Sequence, residues 1–110
     1  MKVLLVNGSP HKEGCTYTAL KEVEKELINS GVETEMIWLG VKPVSGCLGC
    51  AQCIKKGPDG EKPTLRCVIN DGVHEFLDKA EKADGFVFGS PVHYAAISGA
   101  LSSLMVRALY

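Results

Sequence analysis

The sequence has 110 residues, 45% of them apolar, which is enough to bury one core and predicts a single small domain. Twelve Lys and Arg against thirteen Asp and Glu leave a net charge of −1, spread without long runs, which argues against nucleic acid or an anionic membrane as a partner. Five cysteines are an odd set and nothing at the start of the chain is long and apolar enough for a signal peptide, so a cytoplasmic location and thiol, redox or metal chemistry are expected in place of a disulfide framework.

In chain order, residues 2–6 form a nearly continuous apolar run with β-branched members, the pattern of a strand buried on both faces of a parallel sheet. After a turn over residues 7–14, Ala19, Leu20, Val23, Leu27 and Ile28 recur at helical spacing until Asn29-Ser30-Gly31 ends the segment. Residues 32–39 mix β-branched and aromatic residues with Glu33 and Glu35 directed outward, as in a less buried strand near a sheet edge. Residues 40–70 have no sustained period. Pro43, Gly46, Gly49, Gly57-Pro58 and Pro63 interrupt them, and four of the five cysteines lie there, so this long loop is expected to be functional.

Order returns at Asp71, an expected N-cap, with Val73, Phe76, Leu77 and Ala80 on one helical face up to Ala83-Asp84-Gly85. Residues 85–89 predict a short, fully buried strand. Residues 90–98 predict a second turn, opening a last helix with Ile97, Leu101, Leu104, Met105 and Ala108 directed inward. The order β-α-β-loop-α-β-α gives a doubly wound α/β architecture, with helices on both faces of a parallel sheet.

Two loops carry binding chemistry. In open parallel sheets ligands bind beyond the carboxyl ends of strands where the winding reverses, here between the first and third strands. The first loop, Asn7-Gly8-Ser9-Pro10-His11-Lys12-Glu13-Gly14-Cys15-Thr16-Tyr17-Thr18, runs from strand to helix with small and hydroxylated residues. Backbone N–H groups and the helix dipole favour an anion there, and Ser9, Thr16 and Thr18 offer hydroxyl groups. Gly-x-Gly-x-x-Gly spacing and a Gly-Lys-Ser/Thr ending are both absent, so a mononucleotide monophosphate fits best. The plainer alternative is an ordinary strand-to-helix turn with Ser and Thr as caps. The second loop, Gly89-Ser90-Pro91-Val92-His93-Tyr94-Ala95-Ala96-Ile97-Ser98-Gly99-Ala100, assembles a surface for a flat ring, although His93 and Tyr94 could equally just cover the sheet end.

Val3-Leu4-Leu5-Val6 followed by Asn7-Gly8-Ser9-Pro10, then Gly14-Cys15-Thr16-Tyr17-Thr18, and later Phe88-Gly89-Ser90-Pro91-Val92-His93-Tyr94 with Ser98-Gly99, resemble the NADPH-dependent FMN reductase and iron–sulfur flavoprotein families. The resemblance spans essentially the whole chain. It implies a flavodoxin-like fold and noncovalent FMN that passes electrons onward. It further implies phosphate contacts at Ser9, His11, Gly14, Cys15, Thr16, Tyr17 and Thr18, and ring contacts at Pro91, Val92, His93, Tyr94 and Gly99. His11 stands where relatives often have Arg, and Cys15 where they often have Asn.

Cys47-Leu48-Gly49-Cys50-Ala51-Gln52-Cys53 places two residues between successive thiols, as in loops that wrap one [4Fe-4S] cube. Cys67 is the candidate fourth ligand, but thirteen residues separate it from Cys53 where the iron–sulfur flavoproteins keep a compact spacing. Zinc in a four-thiolate site and a redox-active or structural thiol pair are competing readings. His74 is expected to be a solvated helix position and Trp38 to pack. No acid–base pair or nucleophile stands out, which is consistent with chemistry supplied by a cofactor.

A complete flavodoxin-like sheet has the strand order 2-1-3-4-5, and the chain supplies only the 2-1-3 portion. Residues 1–110 are therefore expected to be the N-terminal part of a single FMN-binding domain, with the Cys-rich loop at 40–70. The third strand would be a bare apolar edge, which predicts a homo-oligomer, a strand exchange or a fragment. Three functions follow as expectations. One is an FMN-dependent oxidoreductase fed by NAD(P)H or a redox-protein donor. The others are an iron–sulfur/FMN electron carrier, and a truncated chain that keeps the fold without the activity.

Overall fold

A computed structural model of the chain describes residues 1–109. The first apolar run forms strand β1 (Lys2–Asn7), whose residues from Val3 to Asn7 are all buried. Helix α1 (Cys15–Asn29) follows, then strand β2 (Glu33–Trp38). The long loop contains one 3₁₀ turn (Gln52–Ile54) before helix α2 (Gly72–Ala80), strand β3 (Gly85–Gly89) and helix α3 (Gly99–Ala108). All strands are parallel in the order β2-β1-β3, with Val6 opposite Ile37 on one side and Phe88 on the other.

Alternation along β1 sends its side chains to two faces. Leu4 and Val6 enter a cluster with Val73 and Phe76 of α2 and Leu101 and Leu104 of α3. Leu5, fully buried, belongs to the opposite face, where α1 crosses all three strands and presents Leu20. Burying each of these leucines stabilises the fold by roughly 1.5–3 kcal/mol relative to an exposed one, so the sheet is held from both sides by few residues.

The termini of the helices follow local chemistry. Asp71 caps α2, its Oδ1 accepting from the Val73 N–H at 3.2 Å, as expected from the sequence. Ser98 caps α3, its Oγ accepting from the Leu101 N–H at 3.3 Å. The first turn of α1 has no side-chain cap and no acidic residue.

The structure departs from the expectations at three places. Strand β3 is not fully buried, since Phe86 is 41% exposed because no strand pairs with its outer edge among the described residues. Val23 and Ile28 of α1 are also exposed, because the three-stranded sheet is too narrow to cover the whole apolar stripe of a 15-residue helix. Ile97, expected to point inward, precedes α3 and is exposed, since Ser98 rather than Ile97 turns into the fold as the cap.

Candidate functional site

β1 and β3 end side by side, with Asn7 opposite Gly89, so the loops that follow them start from neighbouring positions. Direct hydrogen bonds weld them together. The Gly8 N–H donates to the Gly89 carbonyl at 2.8 Å, the Ser98 hydroxyl donates to the Gly8 carbonyl at 2.6 Å, and the Ser98 N–H donates to Ser90 Oγ at 2.8 Å. Glycine is needed at both strand ends. A Cβ on Gly8 would stand 2.9 Å from Leu101 Cβ and 3.2 Å from the Gly89 carbonyl, and one on Gly89 would stand 2.9 Å from Leu20.

Within the first loop, the buried Asn7 side chain organises the backbone by accepting from the Ser9 N–H at 2.9 Å and donating to the Lys12 carbonyl at 3.2 Å. Ser9 is buried and its Oγ accepts from the His11 N–H at 3.1 Å. Trp38 Nε1 donates to the Ser9 carbonyl at 2.9 Å, and Lys12 lies over the Trp38 ring. Trp38, expected to pack, is 38% exposed at the end of β2 and instead holds the loop through its indole N–H. His11 and Cys15 are exposed, Gly14, Thr16 and Tyr17 are half-buried at the start of α1, and the whole set sits around the uncapped helix terminus. Thr18 lies one turn into α1 and is exposed. Its hydroxyl donates back to the Gly14 carbonyl at 3.1 Å, because one turn into the helix the nearest acceptor is the preceding backbone.

The second loop carries a tight turn. His93 and Ala96 exchange both backbone hydrogen bonds, at 2.9 and 3.1 Å, across Tyr94 and Ala95, whose φ values are 48° and 58°. This turn thrusts the Tyr94 ring wholly into solvent beside the exposed Val92 and His93, while Pro91 remains half-buried. Gly99 opens α3 with no atom within 4 Å of where a Cβ would stand.

A third segment joins these two. Residues 40–44, which leave the carboxyl end of β2, combine with Gly8, Pro10, His93, Ser98, Gly99 and Ala100 around a cavity of about 320 Å³ at the sheet's carboxyl end. Asn7, Ser98 and the 40–44 segment are the contributors that sequence reasoning passed over. Ser98 carried a signal, a Ser directly before an apolar helical run, whereas the cavity role of 40–44 depends on tertiary placement.

The four loop cysteines share a second cavity. Cys47, Cys50, Cys53 and Cys67, with Leu48, Ala51, Val68 and Ile69, line about 160 Å³, and all five cysteines of the chain are free thiols. Among the described residues no three ligand side chains converge closely enough to hold a single metal ion. The Cys67 sulfur accepts from Arg107 Nε at 3.3 Å. Burial alone would raise the thiol's pKa, but the Ile69 backbone N–H and the Arg107 guanidinium outweigh it and hold the thiol below its ordinary value. His74 is a further correction: it is half-buried and its Nε2 donates to the Cys67 carbonyl at 2.6 Å, because the loop folds back over the start of α2.

A family model for NADPH-dependent FMN reductases matches residues 1–108. The chain belongs to that family. Among the similar members, an iron-sulfur flavoprotein of Methanocaldococcus jannaschii is 38% identical over 97% of the chain and 51% of its own length. One from Archaeoglobus fulgidus is 32% identical over 99% of the chain and 46% of its own length. The chain thus spans about half the length of the curated relatives it matches. Solved structures share this reductase-family fold. An FMN-dependent NADH-azoreductase from Bacillus anthracis, in complex with FMN, superposes with a TM-score of 0.63 at 21% identity, covering 99% of this chain and 55% of that one. A Streptococcus mutans protein superposes at 0.68 with 17% identity, covering 99% and 53%. The fold is accordingly flavodoxin-like, in the 2-1-3 portion of its strand order. No helix among the described residues is long and apolar enough to cross a membrane.

Proposed function

We propose that the chain is the N-terminal part of an FMN-binding domain in a cytoplasmic oxidoreductase, which receives electrons from NAD(P)H or a redox-protein donor and passes them to a small or protein acceptor. The observation that carries this reading is the welding of the two loops by Gly8, Gly89 and Ser98, which sets an uncapped helix terminus and an open ring surface at one end of the sheet.

The residues present fit FMN. Bound there, FMN would supply hydride and one-electron chemistry that side chains lack. The uncapped N–H groups of Cys15, Thr16 and Tyr17, with the buried Ser9 and the half-buried Gly14, would hold the phosphate, and the exposed His11 would face it. Pro91, Val92, His93, Tyr94 and Gly99 would meet the ring, with Tyr94 in solvent and free to cover it. Lys42, on the cavity wall, adds positive charge near the electron-rich ligand.

A specific observation favours the electron-carrier reading as a second step. Cys47, Cys50, Cys53 and Cys67 all line one cavity, and four thiolates are the ligand set of a [4Fe-4S] cube. The printed names of the curated relatives, iron-sulfur flavoproteins, agree with it. Cys47, Cys50, Cys53 and Cys67 would be its ligands.

An FMN titration followed by flavin fluorescence, with an anaerobic absorption spectrum and iron and sulfide analysis, tests both steps. Gly99→Val is the informative variant, because its Cβ would have no atom of another segment within 4 Å and stands on the wall of the proposed flavin cavity. The expected result is unchanged thermal stability with FMN affinity lowered at least about tenfold, or 1.4 kcal/mol. Equal affinity in the wild type and Gly99→Val would refute the ring site. A chain that folds and takes up neither FMN nor iron would leave only the fold.

A further inference from the structure

Arg107 lies in the last turn of α3, yet its side chain is only 1% exposed. Buried arginines are rare and need their N–H groups satisfied. Here all five are directed to partners. Nη1 donates to Asp71 Oδ2 at 2.5 Å and to the Ser45 carbonyl at 3.2 Å. Nη2 donates to Asp71 Oδ1 at 2.9 Å and to the Ile69 carbonyl at 3.1 Å, while Nε donates to Cys67 Sγ at 3.3 Å. The guanidinium therefore grips the cysteine loop at both ends: Ser45 lies two residues before Cys47, and Cys67 and Ile69 close the loop. The same loop end is fixed a second time by the His74 contact to the Cys67 carbonyl. Thirteen residues separate Cys53 from Cys67, and the Leu65 N–H bond to the Cys53 carbonyl at 2.9 Å already returns the backbone to the third thiol, so Arg107 adds a donor on the sulfur itself. At its other end, α3 begins with Ser98 and Gly99 on the wall of the proposed flavin cavity.

We propose that Arg107 is a positioning residue for the sulfur–iron site: it holds the Cys67 sulfur against the Cys47-Cys50-Cys53 turn and, through its Nε–H, biases a cluster bound there toward the reduced state. The inference rests on the cluster reading above. Its physical basis is that one-electron reduction places additional negative charge on the cluster and its thiolates, so a fixed N–H donor on a ligand sulfur, attached to a permanent cation, stabilises the reduced form more than the oxidised one. A donor of this kind also fixes where the ligand sulfur sits.

The test uses the whole chain, reconstituted anaerobically with iron and sulfide, in three forms. Arg107→Met alone strands the Asp71 carboxylate. Arg107→Met with Asp71→Asn removes both charges and keeps the Asp71 carbonyl oxygen that caps α2. Cys67→Ser removes the ligand itself. Iron and sulfide content, the electron paramagnetic resonance spectrum of the reduced form, the cluster's midpoint potential and the thermal midpoint of the metal-free protein are measured for each. The expected result is that the double variant folds and then shows one of two defects. Either it holds less iron, as Cys67→Ser does, or it holds a full cluster whose one-electron equilibrium is shifted about tenfold toward the oxidised state, about 59 mV. If the wild type holds a cluster and the folded double variant matches it in iron content, spectrum and potential, the role of Arg107 is overturned while the cluster reading stands. If the wild type itself takes up no iron, the cluster reading falls and the inference falls with it. A potential that moves is not expected of a residue that merely stabilises the fold.

Discussion

Tyr94 and Ala95 hold the tip of the second loop in the left-handed region, which costs an L-residue roughly 1–2 kcal/mol each. The paired hydrogen bonds between His93 and Ala96 maintain that geometry. Such turns are ordinarily built with Asn-Gly or Gly-Gly, so the sequence Tyr-Ala gave no local signal for one, and the turn is legible only from the tertiary structure. Replacing Ala95 with Gly is expected to raise stability by up to about 1 kcal/mol, the relief of strain exceeding the entropy added to the unfolded chain. A denaturant midpoint that falls in Ala95→Gly would show the turn to be unstrained. Gly8→Ala has the opposite expectation. Its methyl would meet Leu101 Cβ and backbone that cannot rotate away, so a loss of about 1–3 kcal/mol is expected by chemical denaturation. An effect below about 0.5 kcal/mol would mean that the junction of the two loops yields easily. The requirement for glycine at residue 8 was hidden in the sequence, since it comes from residues about ninety positions away.

Helix ends and the cysteine loop form the next level. The strands, the helices and the Asp71 cap were legible because each depends on neighbours in sequence: apolar periodicity for the elements and an Asp before Gly72-Val73 for the cap. The partners of Asp71 were not. Arg107, which carries no local signal in the sequence, reaches it from α3 and forms a bidentate pair. Hydrogen bonding to that guanidinium is the main reason the Asp71 carboxyl lies below its ordinary pKa, assisted by the Val73 N–H and His74 against the opposing effect of burial. Folded Asp71 therefore binds a proton less readily than unfolded Asp71, and stability rises with pH through this region. The contribution is fully present above the ordinary carboxylate value near 4 and is lost as pH falls through the depressed value. Asp71→Asn is expected to flatten the acid limb of the stability curve, measured as thermal midpoint against pH, and a wild-type slope in the variant would assign that limb to other carboxylates. Arg107→Met should cost about 3 kcal/mol, since it leaves a mostly buried carboxylate without its partner, and adding Asp71→Asn should recover part of that loss.

Across the whole molecule, the two border strands of the sheet differ in character. β2 forms one border, where Lys79 and Lys2 pair with Glu35 and charge the surface. β3 forms the other, where Phe86 is exposed and stacks on Phe88 in an apolar border that no strand covers among the described residues. That bareness was legible beforehand, because a five-residue apolar run was the last strand to be counted and the flavodoxin-like order continues past it. Unpaired N–H and C=O groups next to aromatic surface favour pairing with a further strand, whether from a second copy or from sequence beyond this stretch, which covers only about half of its relatives. The chain by itself is accordingly expected to self-associate. Its weight-average mass by sedimentation should rise between about 1 µM and about 100 µM, and Phe86→Lys, which sets a charge on the border, should bring the mass back toward that of one chain. A single-chain mass for the wild type over the whole range would show that the β3 border tolerates water. The flavin titration would then report a site built by one chain, whereas an associating wild type makes FMN affinity depend on protein concentration, because the second loop leaves the sheet from the same strand that pairs.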